Sequence, residues 1–395
     1  YIMRSDVRVP PCRLRVWVYT SLPALDERVC GYPTPPAQSH LFSSSSNRRV
    51  FTSELAVYCT LLRACRRVAS AQSADLFLVP ALLGGAIVSG WTGSRGARND
   101  RDGRMLHWLR RLHGREAMNA TLPYLSAGIE AARRHVFLCS VDSEFVPLHG
   151  SSVGPEQHAI WMHLGDDAWT GKPRGARGVH MPNGLTLPYR ISHWLPFGFP
   201  PRPPRPVARS LLLFGTINPT KHGTRRRLLA SLRNQTLASA GLAREVLLHE
   251  SATMLTAVSA AGAALRARFC LCPTGDSKGF TARLYFSIAH GCIPVRVDGF
   301  RRPLSWPELA FPFPSLIDWR RVVIDVPLSD AHRLLQQLKD IPRAEVDARL
   351  GYIQSIGHWL IFDREHGQLG AADAVVRELE SRLLTDTHRR VPLWI

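Results

Sequence analysis

The stretch from Arg268 to Trp319, RFCLCPTGDSKGFTARLYFSIAHGCIPVRVDGFRRPLSWPELAFPFPSLIDW, decides the fold. The apolar run Phe269–Cys272 predicts a strand that stops at Pro273, and a short polar loop follows it. Residues 281–290 predict a helix, and residues 292–297 predict a second strand. A strand, a helix and a strand of this length form the crossover of a parallel sheet. Because ligands of such sheets bind beyond the carboxyl ends of the strands, the polar loop is a candidate site.

Strands and helices alternate along the rest of the chain as well. The expected strands lie at 14–19, 75–80, 136–140, 210–214, 246–249 and 322–326, with shorter apolar runs at 159–164 and 184–188. The expected helices lie at 51–69, 104–113, 252–266, 330–339, 343–360 and 371–384, and a further helix begins at 225–232. This alternation predicts an α/β protein in which helices cover both faces of parallel sheets.

A proline-rich segment, PFGFPPRPPRP at 196–206, marks the sharpest change of composition and predicts a stiff linker. With 395 residues the chain is long enough for two domains. We therefore expect one domain over residues 1–200 and a second over 201–365. Residues 366–395 would form a C-terminal helix that crosses back to the first domain. Two such domains enclose a cleft, which is a usual place for ligands.

The chain is strongly basic, with 50 Lys and Arg against 31 Asp and Glu and a net charge of +19. Such a charge favours anionic partners, namely nucleic acid, acidic polysaccharide, nucleotide phosphates or a lipid surface. A bias of the genome toward Arg and Ala codons explains the charge equally well. Nucleic acid is disfavoured because the Trp and Tyr residues lie mostly in apolar runs rather than among the basic residues.

The cysteines show neither a CxxC pair nor zinc-binding spacing. Cys12 and Cys30 flank the first strand and could form a disulfide in an oxidising compartment. The other four of interest lie in apolar runs and are expected to be small buried hydrophobic residues: Cys139, Cys270, Cys272 and Cys292.

Two loops of the second half could hold phosphate. The first follows the strand at 210–214 and contains Gly215 and Thr216, with Lys221 and Arg225–Arg227 at the next helix start. The second contains Gly275, Asp276 and Ser277, with Arg283 on the following helix. Neither matches a Walker loop or GxGxxG. The alternatives are that Arg225–Arg227 is a solvated helix start and that Arg283 pairs with Asp276.

Residues 268–319 resemble the signature region of the exostosin family, glycosyltransferase family 47. The matching motifs are RFCLCPTGDS, Thr281-Ala-Arg283-Leu284, the GCIPV that starts at Gly291, Asp298-Gly299-Phe300 with Pro303, and Ile317-Asp318-Trp319. Weaker matches in the first half are Arg15–Tyr19, Thr52–Glu54, Ala74–Pro80, Leu122–Tyr124, His135–Phe137 and Asp142. The resemblance extends over about residues 13–365.

This resemblance implies a GT-B architecture of two Rossmann-like domains, with a donor nucleotide sugar in the C-terminal domain and an acceptor glycan mainly in the N-terminal one. It implies inverting transfer of a hexose or pentose, with a UDP-sugar as the expected co-substrate, to a polysaccharide or glycoprotein glycan. No tightly bound cofactor and no metal are expected. The family's enzymes mostly sit in the Golgi membrane with the catalytic part in the lumen. Since the chain opens on Tyr1, we expect an N-terminal anchor to be missing from it, and homo- or hetero-oligomers are possible partners.

The resemblance also implies roles for individual residues. An inverting transfer needs a base for the acceptor hydroxyl and positive charge for the leaving diphosphate. Asp142 and Glu54 are the candidates for the base, although Glu54 equally suits a helix N-terminus. The expected donor residues are Arg283 first, then Arg226 and Lys221, with Gly215, Gly275, Asp276, Ser277 and Asp298 around the diphosphate, ribose and sugar.

Three positions depart from the family pattern. Phe286, Arg301 and Arg134 stand where relatives commonly carry acidic residues. These losses raise the alternatives of an altered donor specificity or of a catalytically inactive exostosin-like protein that binds acidic glycans.

Overall fold

The computed structural model describes residues 11–19, 30, 53–82, 120, 122–138, 158–164, 183–191, 195–196, 199, 208–220, 223–250, 255–274, 281–298, 311–362 and 369–385. Their strands are β1 (Arg15–Val18), β2 (Arg66–Arg67), β3 (Leu76–Leu82), β4 (His135–Leu138), β5 (Ile160–His163), β6 (Leu185–Thr186), β7 (Leu211–Ile217), β8 (Val246–Glu250), β9 (Ala267–Pro273), β10 (Ile293–Asp298) and β11 (Ile324–Pro327). Their α-helices are α1 (Ser53–Ala64), α2 (Ile129–Ala132), α3 (Gly223–Leu237), α4 (Ala240–Glu245), α5 (Ala257–Arg266), α6 (Ala282–Ala289), α7 (Trp319–Val322), α8 (Leu334–Asp340), α9 (Arg343–Ile356) and α10 (Ala371–Thr385). The predicted helix at 104–113 lies outside the described residues.

The contacts divide the chain into two compact units. The first comprises residues 1–190, 310–316 and 365–395, and the second comprises residues 191–309 and 317–364. The last helix, α10, belongs to the first unit. There α10 packs against α1, and the Arg382 guanidinium donates to the backbone oxygen of Gly184 at 3.1 Å.

Each unit contains its own parallel sheet. Among the described residues, the first sheet has the order β2-β1-β3-β4-β5-β6, and the second has the order β11-β10-β9-β7-β8. All pairs in both sheets are parallel. Counted along the chain, the second sheet has the doubly wound order 2-1-3-4-5. The predicted α/β class with two parallel sheets is confirmed, as a GT-B fold requires.

The strands form because short apolar runs bury both of their faces. In β9, residues 269–273 are all buried, and in β10, Ile293, Val295 and Val297 are inaccessible to solvent. Continuous apolar strands of this kind are typical of parallel sheets covered by helices. Each fully buried Leu, Ile or Val contributes about 2 kcal/mol to stability.

One predicted helix is shorter than expected. Helix α1 ends at Ala64 instead of residue 69, and Arg66–Arg67 form the edge strand β2. A disulfide between Cys65 and Cys12 ties this segment to β1, and the backbone N–H of Val68 donates to the backbone oxygen of Val16 at 3.0 Å. The disulfide and the backbone hydrogen bonds to β1 therefore hold residues 66–67 in an extended conformation, although their sequence pattern predicts a helix.

The disulfide predictions were wrong. Cys12 bonds to Cys65 and Cys30 bonds to Cys59, so Cys12 and Cys30 are not partners. Cys270 and Cys292, expected to be small buried hydrophobic residues, are buried as expected but form a disulfide with each other. Cys272 is buried with a free thiol, as expected. Cys139 lies outside the described residues.

Within the described part of the chain, no helix combines the length and the apolar character needed to span a bilayer.

Candidate functional site

The topology of the second unit creates a switch point between β7 and β9. After β7 the chain passes to β8 on one side, and after β8 it returns to β9 on the other side. The loops that leave the carboxyl ends of β7 and β9 therefore diverge. Ligands of open α/β sheets bind at such a switch point. The candidate site lies at this edge of the second sheet.

Arg283 lies across this switch point. It is the second residue of α6, which begins beyond the carboxyl end of β9. Its Nε donates to Oγ1 of Thr216, which lies near the carboxyl end of β7, at 3.4 Å. The helix N-terminus adds unpaired backbone N–H groups and positive potential beside the guanidinium. Arg283 and α6 together favour an anion at the β7–β9 switch point.

A buried polar contact supports the backbone of Arg283. Ser287 Oγ donates to the backbone oxygen of Arg283 at 2.7 Å, and the Cys272 thiol lies 3.5 Å from Ser287 Oγ. Burial raises the pKa of Cys272 to about 11, against smaller opposite effects of Ser287 and Arg283. The thiol therefore stays neutral at physiological pH and serves packing rather than nucleophilic chemistry.

The disulfide Cys270–Cys292 joins the two strands that flank α6. Cys270 lies on β9 and Cys292 directly precedes β10. Gly291, between α6 and Cys292, has a φ of +62°, and an added Cβ would lie 2.9 Å from Arg209 Nη2. Arg209 donates to the backbone oxygens of Ala267 and His290, at 2.6 and 3.3 Å. These contacts fix the position of α6 against the sheet.

Gly215 has a packing role in the structure. It lies inside β7, and an added Cβ would meet Leu271 Cβ at 2.9 Å and Leu248 Cδ2 at 3.3 Å. Close packing between neighbouring strands therefore accounts for the glycine. Its predicted contact with phosphate stays a prediction.

Sequence reasoning chose Arg226 from the Arg225–Arg227 run, but Arg225 is the buried one. Arg225 is 5% exposed, whereas Arg226 and Arg227 are exposed. Arg225 precedes Leu228, Leu229 and Leu232 on the buried face of α3. Residues 225, 228, 229 and 232 follow the i, i+3, i+4, i+7 spacing of one helix face, so the sequence itself predicts that Arg225 lies on the buried face. Arg225 lies in the first turn of α3, the first helix after β7.

Several predicted site residues lie outside the described part of the chain: Asp142, Lys221, Gly275, Asp276, Ser277 and the divergent Arg301. Asp298 is the last residue of β10, opposite Pro327 of β11. The backbone thus places Asp298 at the carboxyl edge of the second sheet, two strands from β7. The suggested pair of Arg283 with Asp276 also falls on an undescribed residue.

Glu54 belongs to the first unit. It is 1% exposed and lies in the first turn of α1, where a carboxylate is stabilised by the helix dipole. This burial favours the helix-terminus interpretation. The role of Glu54 as a base stays a prediction.

Two of the divergent residues have packing partners. Phe286 is 9% exposed, and its ring centroid lies 4.3 Å from that of His290. Arg134 lies over the ring of Phe77 at 5.1 Å and donates to the backbone oxygen of Asp75 at 3.2 Å. The side chains of Phe286 and Arg134 therefore both make packing contacts with neighbouring residues of this chain.

The Ile317-Asp318-Trp319 motif is structural. The Asp318 side chain accepts from the backbone N–H of Arg320 and so caps α7. Ile317 and Trp319 are buried on either side of it.

Among the residues that the structure describes, no group of three or more His, Cys, Asp and Glu side chains is arranged to hold a metal ion.

Comparison with known proteins shows a similarity between this part of the chain and a protein family. The family model of the exostosin GT47 domain matches residues 184–341, which include β7 to β11 and the switch point. Residues 184–341 are thus similar to the exostosin GT47 domain. The family resemblance seen in residues 268–319 is thus confirmed. The weaker motifs before residue 184 lie outside this match.

A relative among curated proteins points the same way. A probable glucuronosyltransferase of rice, Oryza sativa subsp. japonica, is 31% identical to this chain over 136 residues. The aligned segment is 33% of this chain and spans 29% of the length of the rice protein.

Proposed function

We propose that this protein is an inverting glycosyltransferase that moves a sugar from a UDP-sugar to a polysaccharide or glycoprotein glycan. The observation that carries the proposal is Arg283, which lies at a helix N-terminus and bridges the β7–β9 switch point inside the segment similar to the exostosin GT47 domain. The name of the rice relative supports a transferase of sugars.

The proposed chemistry at the second unit is stabilisation of a leaving diphosphate. Departure of the sugar leaves negative charge on the diphosphate oxygens, and preorganised cations lower the energy of that state. Arg283 and the N-terminus of α6 would provide this charge from one side of the switch point. Arg225, buried in the first turn of α3, would provide it from the other side. In this proposal the transfer needs no metal and no tightly bound cofactor.

The acceptor is proposed to bind the first unit, where Asp142 and Glu54 remain the candidates for the base. A base must come within hydrogen-bond reach of the acceptor hydroxyl. Because Glu54 is buried at a helix start, Asp142 is the better candidate of the two.

We further propose a lumenal location in the Golgi. Three disulfides support it, because such bonds persist in oxidising compartments: Cys12–Cys65, Cys30–Cys59 and Cys270–Cys292.

A second candidate function is an inactive protein that binds acidic glycans. The observation in its favour is Phe286, an apolar residue packed on His290 at a position where relatives commonly carry an acid. A carboxylate there could bind hydroxyls of the donor, and a phenyl ring cannot.

A donor screen separates the two functions. The purified chain is incubated with UDP-sugars and other nucleotide sugars, with neutral and acidic oligosaccharide acceptors, with and without EDTA, and release of nucleoside diphosphate is measured. A transferase releases UDP in proportion to glycosylated product, and NMR of the product shows an inverted anomeric centre. Glycan binding without diphosphate release from any donor would favour the inactive candidate.

A further inference from the structure

The first sheet carries a basic surface at the amino ends of its strands, on the edge opposite to the carboxyl ends. Arg13 precedes β1, Arg15 begins it, and Arg66 lies on the edge strand β2 in register with Arg15. The side chains of Arg13 and Arg15 are 73% and 48% exposed, and Arg66 is exposed. Three guanidinium groups thus face solvent along one edge.

Aromatic rings continue this surface. Arg15 pairs with Asp75 at 2.7 Å, and Arg134 donates to the backbone oxygen of Asp75. The Arg134 guanidinium lies over Phe77, whose ring stacks on Tyr124 with centroids 5.5 Å apart. Tyr124 in turn meets the edge of Trp17 at 5.4 Å. Tyr124 is 38% exposed and Trp17 is half-buried. We call this set the arginine–aromatic surface: Arg13, Arg15, Arg66, Arg134, Trp17 and Tyr124.

The surface has an excess of positive charge. Among the described residues, its four arginines face two carboxylates, Asp75 on Arg15 and Glu380 at 3.9 Å from the Arg13 side chain. Within the described part of the chain, Arg66 has no carboxylate partner. An anionic ligand could therefore form an ion pair with Arg66 without breaking an existing one.

Disulfides hold the surface in place. Cys12 directly precedes Arg13, Cys65 directly precedes Arg66, and the two cysteines are bonded to each other. The Cys30–Cys59 bond fixes α1, the helix that leads into β2. Preorganised side chains lose less conformational entropy when a ligand binds.

We propose that the arginine–aromatic surface binds an acidic polysaccharide, separately from the donor site proposed in the second unit. Carboxylate groups of the polymer pair with the guanidinium groups, and the apolar faces of its sugar rings stack on Tyr124 and Trp17. Arginines beside aromatic rings also suit single-stranded nucleic acid. The disulfides favour polysaccharide, because they indicate an oxidising compartment in which acidic glycans are the available polymers. Such binding needs neither donor nor turnover, so it stands whether or not the proposed transfer occurs.

The test measures affinity of the whole chain for polygalacturonate, neutral dextran and oligo-dT by titration calorimetry at two salt concentrations. We expect polygalacturonate to bind, dextran not to bind, and binding to weaken as salt rises. The double variant Arg13→Gln/Arg66→Gln should bind polygalacturonate about tenfold more weakly, and Tyr124→Ala about fivefold. These side chains are exposed, so unchanged thermal unfolding confirms that the variants fold.

The matched control is Arg333→Gln/Arg343→Gln in the second unit, which removes the same charge from side chains that are 58% and 93% exposed. It should stay within twofold of the unmodified chain. Equal losses in both double variants would reduce the effect to net charge and overturn the proposal. Tighter binding of oligo-dT, lost in the same first-unit variants, would overturn it in favour of nucleic acid.

Discussion

Arg225 and Arg226 are neighbours at the start of α3 and differ in exposure. Arg225 is 5% exposed and continues the leucine face of the helix, whereas Arg226 is exposed. A buried guanidinium makes stronger ion pairs than one in water. We therefore propose Arg225, rather than Arg226, as the donor-binding residue of the pair.

We predict that Arg225→Met weakens UDP binding about tenfold or more, because it removes a charge-assisted contact and keeps the apolar stem. Arg226→Ala should change UDP affinity by about twofold or less. Titration of UDP into each variant checks this, with circular dichroism to confirm folding. The reverse ranking would show that Arg226, the residue chosen from sequence, contacts the donor.

Gly291 supplies a test of local strain. Its φ of +62° disfavours any side chain, and a Cβ would approach Arg209 Nη2 to 2.9 Å. Gly291→Ala should lower the free energy of unfolding of the second unit by roughly 1–3 kcal/mol. Gly351→Ala is the matched control, since Gly351 lies in α9 with open space around its Cα. That change should stabilise by up to about 1 kcal/mol. Urea unfolding measures both, and similar effects of the two changes would contradict the argument.

At the scale of elements, α6 depends on the strands that flank it. The Cys270–Cys292 bond closes a loop with a sequence separation of 22 residues that contains α6. Closing such a loop stabilises by about 3 kcal/mol, chiefly because it restricts the unfolded chain.

We predict that Cys270→Ala/Cys292→Ala lowers the free energy of unfolding by about 2–4 kcal/mol. The control Cys272→Ala removes a neutral buried thiol from the same strand and should cost about 1 kcal/mol. Urea unfolding without reducing agent measures both variants. A double variant as stable as the control would indicate that the bond adds nothing to the packing of β9 and β10.

The elements differ in how far sequence predicts them. Strand β9 was predicted because an apolar run ends at a proline, and α6 because Gly291 terminates it. Strand β2 was missed, since Arg66–Arg67 carries no apolar pattern and forms through the disulfide partner of Cys65. Pairing of cysteines depends on the fold, so spacing could not reveal it. In the same way the motif identified Arg283, but its contact with Thr216 required the order of β7 and β9.

At the scale of the whole molecule, each unit holds a buried histidine whose pKa is depressed, His135 in the first unit and His290 in the second. His135 donates from Nδ1 to the backbone oxygen of Ala131 at 2.8 Å, so its Nε2 accepts from the Tyr19 hydroxyl at 2.7 Å. His290 donates in the same way to the backbone oxygen of Phe286. Burial lowers the pKa of each histidine to about 4, from an ordinary value of 6.5.

These depressed pKa values predict acid sensitivity. Between pH 6.5 and pH 4 the unfolded chain binds protons that the folded chain does not. Stability is therefore highest above pH 6.5 and falls as the pH is lowered toward 4. From pH 7 to pH 5 the loss is about 2 kcal/mol per histidine. Urea unfolding across this range, repeated for His135→Gln and His290→Gln, should show a reduced pH dependence in each variant. Variants with the original pH dependence would assign the effect to other groups.

The most direct test of the central claim is the affinity of UDP for the unmodified chain and for Arg283→Ala, with Arg343→Ala as the control on an exposed helix start. If the switch point between β7 and β9 binds the donor diphosphate, Arg283→Ala weakens UDP binding by about tenfold or more and abolishes diphosphate release, while thermal unfolding is unchanged. Arg343→Ala should bind UDP as the unmodified chain does. UDP bound equally by Arg283→Ala and the unmodified chain would contradict the account.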